Sequence, residues 1–214
     1  MAEDAVPTRT SSLEAWAKAI GRATISPGGG SAAAIAACMA AAVVEMTAAL
    51  TASRESYALV HEEAKAARAR AEGLRQELLT LASADAEALR GFEQALALPR
   101  GSDGERERRE RQKRSALREA AEIQRDVLAA CGEVAALGLA MVERGRESAR
   151  GDAATAVYLA AAAARSAAAA IAINLVGEPS DSEFAGFGKA AAARLAAVEE
   201  AEREAARLAG ASGG

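Results

Sequence analysis

Three consecutive glycines constrain this chain more than any other feature: Pro27-Gly28-Gly29-Gly30-Ser31 stands directly before a run of mostly small residues from Ala32 to Leu50. Glycine triplets cost too much chain entropy to sit inside a helix or strand, and serine is a good N-cap. The order therefore predicts loop, cap and helix, with Ser31 as the cap. Such a junction presents unpaired backbone N–H groups at the positive end of a helix, and glycine lets a ligand come close to them. The same residues would equally let two helices pack at short distance. The Lys-Ser/Thr ending of a phosphate-binding loop is missing and no strand pattern precedes the glycines, which argues against a nucleotide-triphosphate site.

The run that follows is mostly alanine, and so is the rest of the apolar content: 51% of the 214 residues are hydrophobic but 3% are aromatic. Alanine buries little area, so one copy forms a thin core, and a helical bundle completed by a second copy is expected. The formal charge of -4 argues against a general nucleic-acid binder. Ala32 to Leu50 approaches the length of a membrane span, yet Glu45 interrupts it, and a buried helix of a soluble protein is expected with no membrane partner. Met1 to Thr10 is polar and mixed in charge, which predicts a cytoplasmic chain without a signal peptide. Cys38 and Cys131 lie far apart without metal-ligand spacing, and read as free buried thiols. No metal site is expected.

Taken in order, Ser11-Ser12-Leu13-Glu14 reads as a capping box with Ser11 as cap, opening a short helix that Trp16 anchors and Gly21 closes. From Tyr57 an amphipathic helix is predicted to reach Leu98, stopped by Pro99. Its apolar seam, Ala71, Leu74, Leu78, Leu81, Asp85, Ala88, Phe92 and Ala95, advances in alternating steps of three and four. Asp85 thus falls on a core position, where a carboxylate needs partners or a wet cleft and serves either as a structural pin or as a functional acid. Glu87 and His61 read as solvent-facing. The alternating charges from Glu105 to Arg114 predict a solvated helix start, with surplus cations suited to a polyanionic substrate tail rather than to nucleic acid. That helix turns apolar from Val127 to Val142, with Gly132 and Gly138 as close-packing points, and breaks at Arg144-Gly145-Arg146. Asp152 reads as the cap of an apolar helix to Val176 in which Arg165 is the sole charge, so that its planar fork must be paired, snorkel or hold an anion. Asn174 is a second polar group deep in that run. Asp181 or Ser182 is expected to cap a last helix from about Glu183, anchored by Phe184 and Phe187, with 209–214 fraying.

Together these residues resemble the cyclodeaminase/cyclohydrolase family of one-carbon folate enzymes, which comprises the cyclodeaminase half of formiminotransferase-cyclodeaminase and stand-alone methenyltetrahydrofolate cyclohydrolases. The resemblance lies in Pro27 to Ser31, Tyr57, Asp85-Ala86-Glu87-Ala88, Leu98-Pro99, Asp152 and Ile173-Asn174-Leu175. It implies an all-helical fold spanning 1–214 as one domain, a homodimer, and a tetrahydrofolate derivative bound near the subunit interface as substrate, without a tightly bound cofactor. It also implies that Asp85 transfers the proton, with Tyr57, Asp152 and Asn174 near the substrate; on this reading Gly28, Gly29, Gly30 and Ser31 orient the substrate through backbone N–H groups, and Arg165 or Asp152 holds or shapes the cleft. The chain departs from the family pattern in four places. Ser53-Arg54-Glu55-Ser56 replaces a lysine-rich stretch before Tyr57, Arg146 and Gly151 replace an Asn and a Ser, and Ala170 replaces an Asn. These departures keep two other expectations open: a non-catalytic helical binding module, or the same scaffold acting on another amidine or imine.

Overall fold

The computed structural model describes residues 6–179 and 182–210, and among them every regular element is helical. Six α-helices follow in order: α1 (Leu13–Ile20), α2 (Gly29–Ala52), α3 (His61–Leu96), α4 (Asp103–Arg144), α5 (Arg150–Asn174) and α6 (Phe187–Gly210). Short 3-10 turns, Glu55–Val60 and Glu147–Ala149, introduce α3 and α5.

Several helix ends differ from the sequence expectation by one to four residues. The α1 cap is Ser12, whose hydroxyl accepts from Ala15 N at 3.1 Å, while Ser11 instead accepts from Thr8 N in the preceding turn. The α2 helix starts two residues before Ser31, with Gly28 as its cap, so Ser31 is a helical residue with its hydroxyl released for another partner. Tyr57 sits in non-helical backbone ahead of α3, because the polar stretch Ser53 to Ser56 has no apolar face to bury. At α5 the cap position is Ala149, and Asp152 lies in the first turn, where its charge still complements the helix dipole. The α6 helix begins at Phe187; the proposed Asp181 cap and the tail 211–214 lie outside the described residues. At α4 a capping box not foreseen in the sequence closes the turn: Ser102 Oγ accepts from Glu105 N, and Glu105 Oε2 accepts from Gly101 N and Ser102 N.

The α2 helix lies between α3 and α5 with α4 behind it, and α6 covers α4 and α5. Alanine makes this packing close. On α5 Ala153, Ala156, Ala160, Ala163, Ala164 and Ala167 are buried, and Leu74, Leu78, Leu128, Met141 and Ile171 fill the volume between helices. At Gly138 the approach is tighter still, since a Cβ there would stand 2.9 Å from Val157 Cγ2. Trp16 is buried and ties α1 to the bundle, as expected. Cys38 and Cys131 are free and buried, and burial pushes the Cys131 thiol up to about 12, which makes it inert.

Two helical segments, Gly29–Ala52 and Glu147–Asn174, are long and apolar enough to cross a membrane by length and composition, and half of the apolar stretch of the first is buried inside the bundle. The outward side of α2 carries Ala32, Ala36, Met39, Val43, Met46 and Leu50, again in steps of four and three, with Met39 44% and Met46 42% exposed. The charge on α2, Glu45, turns aside to Arg75 of α3 at 3.0 Å.

Candidate functional site

Asp85 lies where α2, α3 and α4 meet. The seam of α3 drives it inward as the sequence predicts, to 1% exposure, while Glu87 on the opposite face is exposed and pairs with Arg90. Its carboxylate faces the start of α2. Ser31 donates from Oγ to Oδ2 at 2.8 Å, and Gln124 of α4 donates from Nε2 to Oδ1 at 2.7 Å. Ser31 and Gln124 are themselves fully buried. Burial pushes the Asp85 carboxyl above its ordinary value, and the hydrogen bonds from Ser31 and Gln124 offset this in part.

The middle glycine explains why the junction must be glycine. A Cβ on Gly30 would fall 2.3 Å from Gln124 Nε2 and 2.5 and 2.8 Å from the two Asp85 oxygens. A side chain there would displace the pair. Gly28 is also restricted, with Ile25 O 3.2 Å from a notional Cβ, whereas Gly29 has open space and is exposed.

The segment before α2 crosses over this site and is pinned to α3. Ile25 N donates to Glu93 Oε1 at 2.7 Å, and Ser26 Oγ donates to Ala86 O at 2.5 Å, one residue beyond Asp85. A cleft of about 260 Å³ lies beside it, lined by Arg22, Thr24, Ser26, Pro27, Arg90 and Glu93. A wider cleft of about 560 Å³ lies further along α4, lined by Arg111, Arg114, Arg118 and Phe184 together with Glu119, Glu122 and Glu183. There Arg118 forms a two-point pair with Glu178 and stacks on Phe184.

The other expected site residues are distributed along the bundle. Tyr57 accepts from Glu147 N through its hydroxyl at 3.0 Å, and next to it Thr51 accepts from Arg146 N at 2.9 Å. These bonds lie at the C-terminal end of α2, whose 24 residues span about 36 Å at 1.5 Å per residue. Asp152, exposed in the first turn of α5, belongs to that end too. Within one chain, then, Tyr57 and Asp152 are remote from Asp85. Asn174 ends α5 and returns to the Asp85 end, near the Arg118–Glu178 pair. Arg165 is exposed and binds Glu199 and Glu202 of α6, so its fork is filled by carboxylates of this chain. His61 meets Arg54 O at 2.7 Å. Among the described residues, no three His, Cys, Asp or Glu side chains gather in a metal-holding group.

Gln124 was missed in the sequence, although a signal was there. It lies with Ala120, Ala121, Val127, Leu128 and Cys131 on the buried face of α4, so it is a polar residue on an apolar seam, as Asp85 is.

Against known proteins, the formiminotransferase-cyclodeaminase family model matches residues 12–194. The chain belongs to this family. It is 33% identical over 165 residues to a methenyltetrahydrofolate cyclohydrolase of Methylorubrum extorquens, an alignment covering 77% of this chain and 79% of that one. Its fold is similar to the crystal structure of formiminotetrahydrofolate cyclodeaminase from Thermotoga maritima, with a TM-score of 0.81, 25% identity, and coverage of 93% and 96% of the two chains. The all-helical architecture expected from the sequence is that of the family. The stretches shared with the family pattern, Pro27 to Ser31 and Asp85 to Ala88, form the three-helix junction just described.

Proposed function

We propose that this chain is a one-carbon folate enzyme that acts as a cyclodeaminase or a cyclohydrolase, with Asp85 carrying the proton in either reaction. The observation that carries this is the placement of Asp85. It is a buried carboxyl held by two neutral donors and pushed above its ordinary value by burial, so it can take up and return a proton more readily than a surface carboxylate. In cyclodeamination N10 of 5-formiminotetrahydrofolate attacks the carbon of the protonated formimino group, and the N10 proton passes to Asp85. The proton then returns to the –NH2 of the tetrahedral adduct, which leaves as ammonia while the N5 lone pair forms the cationic methenyl bridge. In hydrolysis water adds to the methenyl carbon and Asp85 takes one of its protons; that proton goes to N5 as the C–N5 bond breaks, and the hydroxyl proton is released to solvent as the formyl carbonyl forms. Both sequences start from the carboxylate, and the folate is substrate in each.

Asp85 is covered in the single chain, so substrate access requires the segment 22–28 to move. Its attachments to Glu93 and to Ala86 O make it the natural cover. The folate tail is assigned to the mixed-charge cleft on α4, with Arg114 as the cation for its carboxylate, since Arg111 and Arg118 are held by Glu107 and Glu178. Arg114 is ten residues from Gln124 on the same helix, about 15 Å along its axis. A homodimer formed through the apolar outer stripe of α2 accounts for the division of site residues. With the two α2 helices antiparallel across a two-fold axis, the Tyr57 and Asp152 end of the second copy lies beside Asp85. Free buried cysteines fit a cytoplasmic, reducing setting.

The test is methenyl-folate absorbance with purified protein. Loss of signal from 5,10-methenyltetrahydrofolate identifies the cyclohydrolase, and its appearance with ammonia from 5-formiminotetrahydrofolate identifies the cyclodeaminase. Asp85→Asn should reduce turnover at least 100-fold. A folded Asp85→Asn protein with full turnover removes Asp85 from the mechanism, and silence of the wild type in both assays removes the folate activity.

A further inference from the structure

The amide of Gln124 is half used. Its Nε2 donates to Asp85 at 2.7 Å, while its Oε1 is buried and has no hydrogen-bond partner. An unpaired carbonyl in the interior is unfavourable, and a buried leucine or methionine at the same place would avoid it. The group opposite the amide resolves this. A carboxylate needs a donor, and a carboxylic acid needs an acceptor for its proton. An amide supplies either, by turning over about its last bond. A donor-only side chain would hold Asp85 in the ionised state, and an acceptor-only one would hold it in the acid state.

We infer that Gln124 is a positioning residue for the proton-transfer chemistry of Asp85, its amide keeping the carboxyl hydrogen-bonded both before and after it takes the proton. The inference rests on the reading of Asp85 as the proton carrier. The geometry is enforced from the third side, because the absent side chain of Gly30 leaves the space in which amide and carboxyl meet. Ser31 supplies the second oxygen with its own donor, so the amide is matched to Oδ1. Charged neighbours do not take over this role. Among the described residues none contributes to the shift of Asp85. On α3 Glu87 is exposed and pairs with Arg90, and Glu93 accepts from Ile25 N. On α4 Glu122 and Arg125 are exposed, the latter paired with Asp126, and on α2 Gly30 and Ser31 face the carboxyl.

The experiment compares wild type, Gln124→Met, Asp85→Asn and the double variant. It follows the kcat–pH profile on the folate substrate and, independently of activity, the titration of the Asp85 carboxyl by carbon-13 NMR. Methionine keeps the volume and removes the donor, so the Asp85 titration and the acid limb of kcat should both move up by about one pH unit. In the Asp85→Asn background the same substitution should leave the residual rate unchanged, because Gln124 acts through Asp85. Gln124→Glu keeps the shape of the side chain and reports even if the methionine variant fails to fold. Its carboxyl shares a proton with Asp85, so the upper titration of the pair should move further in the same direction. An Asp85 titration that stays in place in a folded Gln124 variant overturns the inference, as does an equal loss of rate with and without Asp85. Full turnover by Asp85→Asn refutes the proton-carrier reading itself and is seen in that arm alone.

Discussion

Replacing Gly30 and Gly29 by alanine in turn should have effects of opposite sign, although the two residues are adjacent and both helical. At Gly30 the new methyl would fall 2.3 Å from Gln124 Nε2 and 2.5 Å from Asp85 Oδ1, well inside van der Waals contact with two buried polar groups. Forcing a methyl into a packed site costs about 2 kcal/mol, and separating Gln124 from Asp85 removes a hydrogen bond to a charged group worth about 2 kcal/mol. The better helix propensity of alanine returns about 1 kcal/mol, leaving a loss of about 3 kcal/mol. For a domain of this size that lowers Tm by about 6–12 °C. At Gly29 a Cβ meets nothing within 4 Å and the backbone is helical, so alanine should stabilise by about 0.5 kcal/mol. The assay is thermal unfolding followed by circular dichroism, with protein concentration fixed so that subunit association does not enter. A Gly30→Ala protein as stable as wild type would refute the three-helix contact at Asp85. A Gly29→Ala protein destabilised as much would show that glycine is needed there for backbone reasons instead.

Three further outcomes follow from the same geometry. Because burial raises the Asp85 carboxyl above its unfolded value of 3.8, the unfolded chain releases this proton first; its contribution to stability is full below that value and is lost as pH rises through the folded value. Asp85→Asn should therefore raise Tm at pH 7 and bring no gain near pH 3.5, and a gain that is independent of pH would contradict this. Gly138→Ala, with Val157 Cγ2 2.9 Å and Ala153 O 3.5 Å from the added carbon, should cost about 1–2 kcal/mol in urea unfolding, whereas Gly151→Ala, helical and with open space around it, should stabilise by about 0.5 kcal/mol as at Gly29. Met39→Glu combined with Met46→Glu should convert the proposed dimer to monomers in sedimentation velocity; a double variant that sediments as wild type would move the interface away from the outer stripe of α2.

Much of this was legible in the sequence because helices impose a strict period. Steps of three and four put Asp85 on the core seam of α3 and Glu87 outside it, and that is how the two are placed. Trp16 as an anchor and the free, buried Cys38 and Cys131 were legible for the same reason. The charged start of α4 is laced by pairs such as Lys113–Glu110 and Arg111–Glu107, as alternating signs at helical spacing require. Ser31 was misread as a cap because a serine before an apolar run looks the same whether its hydroxyl turns back to its own helix or across to another. The carboxylate of Asp85, 54 residues away, took it. Arg165 was recognised as a cation in need of a partner, but Glu199 and Glu202 come from a helix that only packing brings alongside.

By itself the sequence determined the helices, their apolar faces, the glycine junction and the family, since each depends on residues near one another along the chain. Tertiary structure alone decided what meets at the junction. Ser31, Asp85 and Gln124 come from three helices, and their hydrogen bonds depend on axial register and on the missing side chain of Gly30. It also decided that Tyr57 and Asp152 lie at the far end of α2 from Asp85, because the direction in which helices pack is set by burial of whole faces and not by any local spacing.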